Sequence, residues 1–403
     1  MDINFQEILN KEKLRQNNSI VLIASENYAS KSVREAQGSI FTNKYAEGYP
    51  GARYYGGCEY ADQIEELAID RAKELFGAEH VNVQPHSGAQ ANMAVYSATF
   101  DSQDIIMSLP LDHGGHLTHG SKVNFSGKLY NFKHYNVDRE SEQIDYDALH
   151  SQAKKINPKA ILSGFTAYPR EIDFEKINFI CKDTDSLMIV DMAHISGLIA
   201  AKLHSDCVKY ADIVTSTTHK TLRGPRGGLI LSKNKFSKKI DKSVFPGMQG
   251  GPMMHTIAAK AVAFQEASSQ NFIKYQKLVL SNAKLLAEKL AREDLRIVTG
   301  DTDTHMILVD VSNYGITGKF AEDKLNNAGI IVNRNTIPYD TKPPRVCSGI
   351  RIGTAAISSR GMDSEAINII SECIVDILKQ RKDQEIVKSR IVKLAQKHPI
   401  NLD

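Results

Sequence analysis

Residues 187–194 read LMIVDMAH, in which four apolar side chains in a row are followed directly by the carboxylate of Asp191. An unbroken apolar run of this length is typical of a strand that is covered on both faces. Similar strand-like segments recur on both sides of it, at residues 81–84 (VNVQ), 104–108 (DIIMS), 160–164 (AILSG), 212–216 (DIVTS) and 227–232 (GGLILS). Since polar or helical stretches separate most of these segments, the sequence predicts an α/β fold with a buried, largely parallel sheet.

Helical periodicity and its change along the chain indicate the domain organisation. Residues 59–77 (EYADQIEELAIDRAKELFG) place apolar side chains at i, i+3 and i+4 and end in glycine, which predicts an amphipathic helix with a C-terminal stop. Beyond about residue 270, long helical runs surround one strand-like segment, HMILVDVS. We therefore predict an N-terminal arm at residues 1–40, a large domain at residues 41–275 and a smaller C-terminal α/β domain at residues 276–403.

Composition and charge limit the classes of partner. The 403 residues carry 50 Lys and Arg against 47 Asp and Glu, and this net charge of +3 is too balanced to indicate a nucleic acid or a membrane surface as the primary partner. The five cysteines include no C-x-x-C pair, so neither a disulfide framework nor a zinc site is predicted. No segment reaches the ~18 apolar residues of a membrane span. We expect a cytoplasmic protein that acts on small ligands.

A lysine follows one of the strand-like segments in the sequence TSTTHKTLRGPRGG, residues 215–228. The amine of Lys220 becomes nucleophilic, and able to form a Schiff base with a carbonyl, if burial or neighbouring cations such as His219 and Arg226 favour its unprotonated form. The ordinary alternative is a surface lysine in a basic loop, because lysine is seldom buried without a partner. Ligands collect where the strands of an α/β sheet end, so the groups at the neighbouring strand ends bear on this choice.

Two further strand ends carry groups that suit a phosphorylated pyridine ring. Asp191 can hold a ring nitrogen protonated and His194 can pack on a ring face, although an aspartate in this position is more often a helix N-cap. In HSGAQAN, residues 86–92, a helix start favours a phosphate, although any strand-to-helix turn selects serine and glycine. No metal site is predicted, because no second ligand pair has the usual spacing. Together with the lysine, these are the parts that bind pyridoxal phosphate.

Nine longer segments carry a family resemblance. They are SENYASKSV (25–33), NKYAEGYPGARYYGG (43–57), PHSGAQAN (85–92), GGHLTHG (114–120), GFTAYPREIDF (164–174), VDMAHISGL (190–198), TSTTHKTLRGPRGG (215–228), FPGMQGGPMMH (245–255) and SGIRIGT (348–354). In order and approximate spacing they resemble serine hydroxymethyltransferase, from about residue 5 to about residue 380. The resemblance implies a fold-type I pyridoxal-phosphate transferase with a mostly parallel seven-stranded sheet flanked by helices. It implies interconversion of serine plus tetrahydrofolate with glycine plus 5,10-methylenetetrahydrofolate.

The resemblance also implies roles for individual residues. Lys220 would carry pyridoxal 5'-phosphate covalently, Glu47 would lie near the substrate hydroxyl, and Arg351 would bind the substrate carboxylate in a bidentate contact. The catalytic set would be Lys220, Glu47, His219, Asp191, His194 and His116. The cofactor contacts would be Tyr45, Ser87, Gly88, Ala89, His116, Thr166, Asp191, His194, Thr217, Lys220, Gly250 and Gly251. Ser25 and Tyr55 would assist Arg351, and Leu111, Gly115, His116, Leu117, Pro343, Pro344 and Arg345 would contact the folate.

The resemblance further implies a homodimer or tetramer with shared active sites, in which Glu47 and its two flanking tyrosines come from the neighbouring subunit. The departures from the family pattern concentrate on the folate side. In PPRVCSGIR, residues 343–351, Arg345 replaces the phenylalanine and Cys347 the threonine that are usual in bacterial members, and Ala89 replaces a serine found in many members. Two alternatives therefore stay open: a folate-independent aldolase for β-hydroxy amino acids such as threonine or allo-threonine, and a catalytically silent pyridoxal-phosphate fold used for binding.

Overall fold

The computed structural model describes residues 2–400, which form two compact units. Residues 29–276 make up the larger unit, and the segment up to residue 28 groups with residues 277–400 in the smaller one. The boundary falls within one helix, Gln270–Ala291. The N-terminal segment thus belongs by its contacts to the C-terminal part of the chain. The predicted division into arm, large domain and small domain stays a prediction.

The larger unit is built on a seven-stranded sheet. In spatial order its strands are His80–Asn82, Gly228–Ser232, Ile213–Thr217, Leu187–Asp191, Ala160–Gly164, Ile105–Ser108 and Asn131–His134. Neighbours pair in parallel except at Gly228–Ser232, which is antiparallel to the strand on each side of it. The predicted α/β fold with a mostly parallel seven-stranded sheet is therefore confirmed.

The central strands are buried on both faces, as predicted. Every residue of Ala160–Gly164 and of Ile213–Thr217 is buried. The apolar residues of the helix Gly88–Thr99, Tyr96 among them, pack with these strands in one core. The sequence does not predict the strand Asn131–His134, because it lies at the edge of the sheet and alternates between exposed and half-buried residues. Such a strand needs no apolar run.

Helices precede, connect and follow these strands along the chain. They are Lys31–Gln37, Glu59–Phe76, Gly88–Thr99, Phe125–Leu129, Tyr146–Ile156, Phe174–Asp183, Ser196–Ala200, Ser237–Val244 and Met254–Ala267. The helix Glu59–Phe76 matches the prediction for residues 59–77, and Gly77 ends it with a φ of 67°, a left-handed conformation that glycine adopts without a steric penalty. Its buried alanines allow it to pack closely against the helix Met254–Ala267.

The smaller unit contains a four-stranded antiparallel sheet in the order Arg296–Ile297, Met306–Asp310, Gly349–Gly353 and Asn333–Asn335. A short parallel pair, Ile20–Val21 with Ile330–Ile331, joins the N-terminal segment to this unit. The helices Ile3–Asn17, Gly318–Asn327, Ala355–Ser359, Ser364–Leu378 and Gln384–Lys397 complete it, around an apolar core of its own. Across residues 2–400, no helix is both long and apolar enough to cross a membrane.

Candidate active site

Asp191, Thr217 and Lys220 lie where neighbouring parallel strands end. Asp191 is the last residue of its strand, and Thr217 is the last residue of the adjacent strand. Lys220 follows shortly after, is only 8% exposed, and is near enough to Asp191 for its positive charge to lower the pKa of that carboxyl. The alternative of a surface lysine is therefore wrong.

The helix Gly88–Thr99 follows the strand His80–Asn82 in the chain. Its first residue lies beside Thr217, the last residue of the strand Ile213–Thr217. Ser87 caps the helix, because its Oγ accepts a hydrogen bond from the backbone N–H of Gln90 at 3.2 Å. A Cβ added to Gly88 would lie 2.7 Å from Cγ2 of Thr217, so the absence of a side chain lets the helix start approach the strand end. Ala89, the next residue, is exposed. Backbone N–H groups at such a helix start favour an anion.

Three donors hold the buried carboxylate of Asp191. Its Oδ2 accepts hydrogen bonds from Nδ2 of Asn92 at 2.9 Å and from Nε2 of His119 at 3.2 Å. Its Oδ1 accepts one from the backbone N–H of Ala193 at 3.0 Å. Asp191 does not cap a helix, since the next helix begins only at Ser196. The N-cap alternative is therefore wrong, and the carboxylate is fixed by tertiary contacts.

His119 has a defined tautomer and acts as a donor to Asp191. Its Nδ1 accepts a hydrogen bond from the backbone N–H of His116 at 3.1 Å, so its Nε2 carries the proton that Asp191 receives. Burial would raise the pKa of Asp191, but the hydrogen bond from His119 and the positive charge of Lys220 help to lower it well below its ordinary value. The ring and carboxylate atoms of His116, His119 and Asp191 lie within 4.8 Å of one another. Because His119 already uses both ring nitrogens, the three form a hydrogen-bonded network.

Sequence reasoning misses Asn92 and His119. Asn92 links its helix to two strands, because its Nδ2 donates to Asp191 and its Oδ1 accepts from Thr215 Oγ1 at 2.5 Å. Its Nδ2 also donates to Oγ1 of Thr118 at 2.8 Å. Both residues are buried and lie in segments, HSGAQAN and GGHLTHG, whose neighbouring residues are assigned roles. A carboxamide among the alanines of a buried helix is the signal that indicates Asn92.

Histidines and threonines surround the strand ends. Burial, followed by the positive charges of Lys220, Arg226 and Lys260, lowers the pKa of His219 to about 3, so this ring is neutral at neutral pH. His194 is buried, and its Nε2 lies 3.1 Å from Oγ1 of Thr166. The predicted residues around Asp191 are thus brought together in the larger unit.

A second group of predicted residues lies on an exposed hairpin. The hydroxyl of Tyr45 donates to Oε1 of Glu47 at 3.0 Å, and the Tyr45 and Tyr55 rings make an edge contact at 5.1 Å between centroids. A Cβ on Gly250 would lie 2.9 Å from Glu47 Oε1, and one on Gly251 would lie 2.9 Å from the Tyr45 ring. Glu47, the tyrosines and the two glycines therefore form one cluster within a single chain.

Arg53 fixes the backbone on both sides of Glu47. Its Nη1 donates to the carbonyl oxygens of Ala46 at 2.9 Å and Gly48 at 2.8 Å. Its Nη2 forms a buried ion pair with Glu65 at 2.6 Å. A buried guanidinium with carbonyl and carboxylate partners makes a rigid support, so the position of Glu47 is determined by this arginine. Sequence reasoning gives Arg53 no role.

Of the residues predicted to bind a carboxylate, Arg351 and Ser25 lie in the smaller unit, while Tyr55 lies in the larger unit beside Tyr45. Arg351, on the strand Gly349–Gly353, is buried and donates from Nε to Oδ1 of Asn333 at 3.2 Å. Burial lowers the pKa of Arg351 to about 10, which leaves the guanidinium charged at neutral pH. A Cβ on Gly353 would collide with the backbone of Ala24, so the segment that carries Ser25 packs closely on the end of this strand.

The predicted folate contacts are divided between the two units. In the larger unit Leu111 and Leu117 are exposed, while a Cβ on Gly115 would lie 2.2 Å from the carbonyl oxygen of Leu109. The predicted folate contacts in the smaller unit, Pro343, Pro344 and Arg345, are all exposed. Next to them, Cys347 is buried and donates from Sγ to the carbonyl oxygen of Pro344 at 2.7 Å. Each unit thus presents part of this set to solvent.

The polar groups in the larger unit suit pyridoxal phosphate. An ionised, buried carboxylate can pair with a protonated pyridine nitrogen, a buried lysine can form a Schiff base, and the helix start after Ser87 can receive a phosphate. Residues 1–374 match the model of the family described as serine hydroxymethyltransferase, whose members depend on pyridoxal phosphate and use tetrahydrofolate. The chain therefore belongs to the serine hydroxymethyltransferase family.

Proposed function

We propose that the chain interconverts serine plus tetrahydrofolate with glycine plus 5,10-methylenetetrahydrofolate, with pyridoxal phosphate bound covalently to Lys220. The observation that carries the proposal is the ionised, buried carboxylate of Asp191 beside a buried lysine at the strand ends. A pyridine ring withdraws electrons best when its nitrogen is protonated, and a fixed carboxylate keeps it so. A protein used only for binding has no chemical need for this pair, which argues against the silent fold.

The residues of the larger unit would bind and orient the cofactor. Bound pyridoxal phosphate supplies an electron sink for the pair released when a bond at the amino-acid Cα breaks. Asp191 would hold the ring nitrogen protonated, with His119 and Asn92 fixing its carboxylate. The helix start after Ser87 would bind the phosphate. His116 would cover one ring face.

Two charged groups would act on the amino acid. Arg351 stays charged when buried, and its planar guanidinium can donate two parallel hydrogen bonds to the substrate carboxylate. By fixing that carboxylate, it would select which bond at Cα lies perpendicular to the plane of the cofactor ring. Glu47, fixed by Arg53, would accept or donate a proton at the substrate hydroxyl. For serine, the bond selected would be Cα–Cβ, and the released one-carbon unit would pass to the folate nitrogen.

We infer a homodimer in which the Glu47 cluster serves the neighbouring subunit. Tyr45 is 54% exposed and Tyr55 51% exposed, with Tyr54 and Tyr60 exposed beside them. Several exposed aromatic side chains in one segment of a folded protein favour an interface there. Gly250 and Gly251 lie in the same cluster and would reach the partner's phosphate site together with it.

The test is glycine formation from serine by the purified protein with added pyridoxal phosphate, with and without tetrahydrofolate. The proposal expects glycine formation to depend on tetrahydrofolate and methylenetetrahydrofolate to appear in equal amount. Equal rates with and without folate would contradict it.

A folate-independent aldolase is the second candidate function. It is favoured by Arg345, a solvent-exposed charge at the position that the resemblance places next to the folate ring. Cleavage of allo-threonine that is unaffected by folate, combined with little turnover of serine, would establish this candidate. The variant Arg345→Phe separates the two functions, because it should tighten tetrahydrofolate binding if Arg345 only weakens a folate site.

A further inference from the structure

Lys260 is a fully buried lysine on the helix Met254–Ala267, with an exposure of 1%. Its Nζ donates to three backbone carbonyl oxygens, those of Val83 at 2.6 Å, Pro85 at 3.1 Å and Gly228 at 2.7 Å. Three acceptors match the three N–H groups of a charged ammonium. A neutral amine has two N–H groups and would turn its lone pair towards a carbonyl oxygen. The geometry therefore fits the charged form.

Burial opposes this charge. It lowers the pKa of Lys260 to about 7, and the carboxylate of Glu65 raises it only in part. Glu65 is itself paired with Arg53 at 2.6 Å, so little of its charge is left for the lysine. The three carbonyl oxygens, which we call the carbonyl cage, are therefore the main partners of the ammonium. A bound anion close to the cage would favour the charged form.

Two of the three carbonyls belong to the turn that leads into Ser87. The carbonyl oxygens of Val83 and Pro85 bind the ammonium, and the carbonyl oxygen between them, that of Gln84, accepts a hydrogen bond from Nε2 of Gln249 at 3.0 Å. Three consecutive carbonyls are thus fixed by side chains from outside the turn. The position of Ser87 depends on these contacts, since the turn has no regular secondary structure of its own.

The third carbonyl is that of Gly228, the first residue of the strand that follows the loop containing Lys220. Gly228 binds the ammonium through its carbonyl oxygen and donates from its backbone N–H to the carbonyl oxygen of Pro85 at 2.9 Å. A Cβ on Gly227 would lie 2.5 Å from Cε of Lys260, so the lysine stem passes through a space that a side chain there would fill. The ammonium therefore ties the turn before the helix start to the end of the Lys220 loop.

The charge of Lys260 acts on both parts of the candidate site. Burial is the main cause of the lowered pKa of His86, and the Lys260 charge adds to it. The same charge contributes, after burial, Lys220 and Arg226, to the lowered pKa of His219. A positive potential therefore extends to the residue before Ser87 and to the residue before Lys220, where a phosphate dianion would be favoured.

We propose that the Lys260 ammonium is a built-in monovalent cation that positions the phosphate-binding turn and offsets the charge of the cofactor phosphate. The inference rests on the proposed role of Ser87 and Gly88 in binding that phosphate. Lys260 is a positioning residue, because it acts through the carbonyls of the turn. Convergent carbonyl oxygens are also the ligands that proteins use for potassium ions. Removal of the lysine side chain should therefore leave a site for a small monovalent cation.

The first experiment compares pyridoxal phosphate with pyridoxal, which lacks the phosphate. Dissociation constants are measured by absorbance titration for the wild type, for Lys260→Met and for Lys274→Ala, which removes an exposed lysine elsewhere. Lys260→Met should weaken pyridoxal phosphate binding roughly tenfold or more, the effect of losing hydrogen bonds from a charged group. Its affinity for pyridoxal should change little. Lys274→Ala should match the wild type for both compounds.

The second experiment tests the cage in the absence of the cofactor. The thermal midpoint of cofactor-free Lys260→Ala is measured in ammonium chloride, potassium chloride and tetramethylammonium chloride at equal ionic strength. Ammonium or potassium should raise the midpoint and restore pyridoxal phosphate affinity, while tetramethylammonium is too large to enter. Lys260→Met should gain nothing from any of them, since its side chain fills the space without donating.

An unchanged ratio of the two affinities in Lys260→Met would overturn the inference. So would a Lys260→Ala protein that responds alike to ammonium and tetramethylammonium. If both variants fail to fold in every salt, Gly227→Ala replaces them, because its Cβ would lie 2.5 Å from Cε of Lys260. An unchanged ratio of pyridoxal phosphate affinity to pyridoxal affinity in Gly227→Ala would then overturn the inference. A wild type that binds no pyridoxal phosphate would instead refute the proposed function, while the salt dependence of Lys260→Ala would still test the cage.

Discussion

Asp191 is buried and His219 is half-buried, and their surroundings leave the first charged and the second neutral. Asp191 receives hydrogen bonds from two side chains and one backbone N–H, which together with nearby positive charge keep it ionised. His219 lies among the cations Lys220, Arg226 and Lys260, which add to the effect of burial and keep it neutral. At this scale, the direction of each pKa shift follows from whether the neighbours of the group favour or oppose its charge.

Lys220→Ala should abolish covalent attachment of pyridoxal phosphate. The buried amine is the group that would condense with the cofactor aldehyde. The expected result is loss of the visible absorption that borohydride reduces in the wild type, with Lys242→Ala, an exposed lysine, as the matched control. An unchanged spectrum in Lys220→Ala would mean that a different lysine carries the cofactor.

The acid stability of the cofactor-free protein should depend on His219. Its pKa falls from 6.5 to about 3 on folding, so below pH 6.5 the unfolded chain takes up a proton that the folded chain does not. Stability is therefore lost as the pH falls from 6.5 towards 3, by about 1.4 kcal/mol at pH 5.5 for this group alone. His219→Asn should lose that much less stability than the wild type between pH 7.5 and pH 5.5 in urea unfolding. Parallel losses in the two proteins would contradict the assignment.

At the scale of elements, the site depends on one close approach between a helix and a strand. The helix Gly88–Thr99 begins against the end of the strand Ile213–Thr217, and the contact is between the backbone of Gly88 and the methyl group of Thr217. Asn92, one turn further along the same helix, donates to Asp191 on the next strand. A shift of the helix would therefore displace both the proposed phosphate site and the hydrogen bond that supports the Asp191 carboxylate.

Gly88→Ala should lower stability and weaken pyridoxal phosphate binding, because its Cβ would lie 2.7 Å from Cγ2 of Thr217. Overpacking of this kind destabilises by about 1–3 kcal/mol. Thr217→Ser removes the methyl group and keeps the hydroxyl, so the double variant Gly88→Ala with Thr217→Ser should recover most of the loss. Urea unfolding of the four proteins gives the coupling energy. Additive effects would show that the contact with the methyl group is not the cause.

At the scale of the whole molecule, the predicted active-site residues come from separate parts of the chain. The cofactor residues lie in the larger unit, Arg351 and Ser25 lie in the smaller unit, and Glu47 lies in the exposed aromatic cluster of the larger unit. The proposal that Glu47 serves a neighbouring subunit makes activity a property of the oligomer. An isolated chain would then hold every residue and still have an incomplete site.

Mixing two inactive variants tests this sharing. Glu47→Gln lacks the carboxylate and Lys220→Ala lacks the amine, but in a mixed dimer one of the two sites receives both intact residues. An equal mixture should therefore regain about a quarter of the wild-type activity after subunit exchange, since about half of the dimers are mixed. No recovery in a mixture whose exchange is shown by mass spectrometry would refute the shared site.

The strand ends show how far sequence reasoning reaches. The segments LMIVD and DIVTS predict buried parallel strands, and both strands occur with Asp191 and Thr217 as their last residues. Local patterns are sufficient there, because strands buried on both faces are rich in apolar and β-branched side chains. The edge strand Asn131–His134 needs none, and no local pattern predicts it.

Local patterns and ordered segments of the chain are enough to establish the fold class, the family and the residue types that could bind a phosphorylated pyridine. The folded chain is needed to show that Asp191 is ionised, that His119 donates to it, and that Lys260 binds the carbonyls of Val83, Pro85 and Gly228. Each of these contacts joins residues that are far apart in the chain. Their charges and hydrogen bonds depend on burial and distance, which no local pattern of residues specifies.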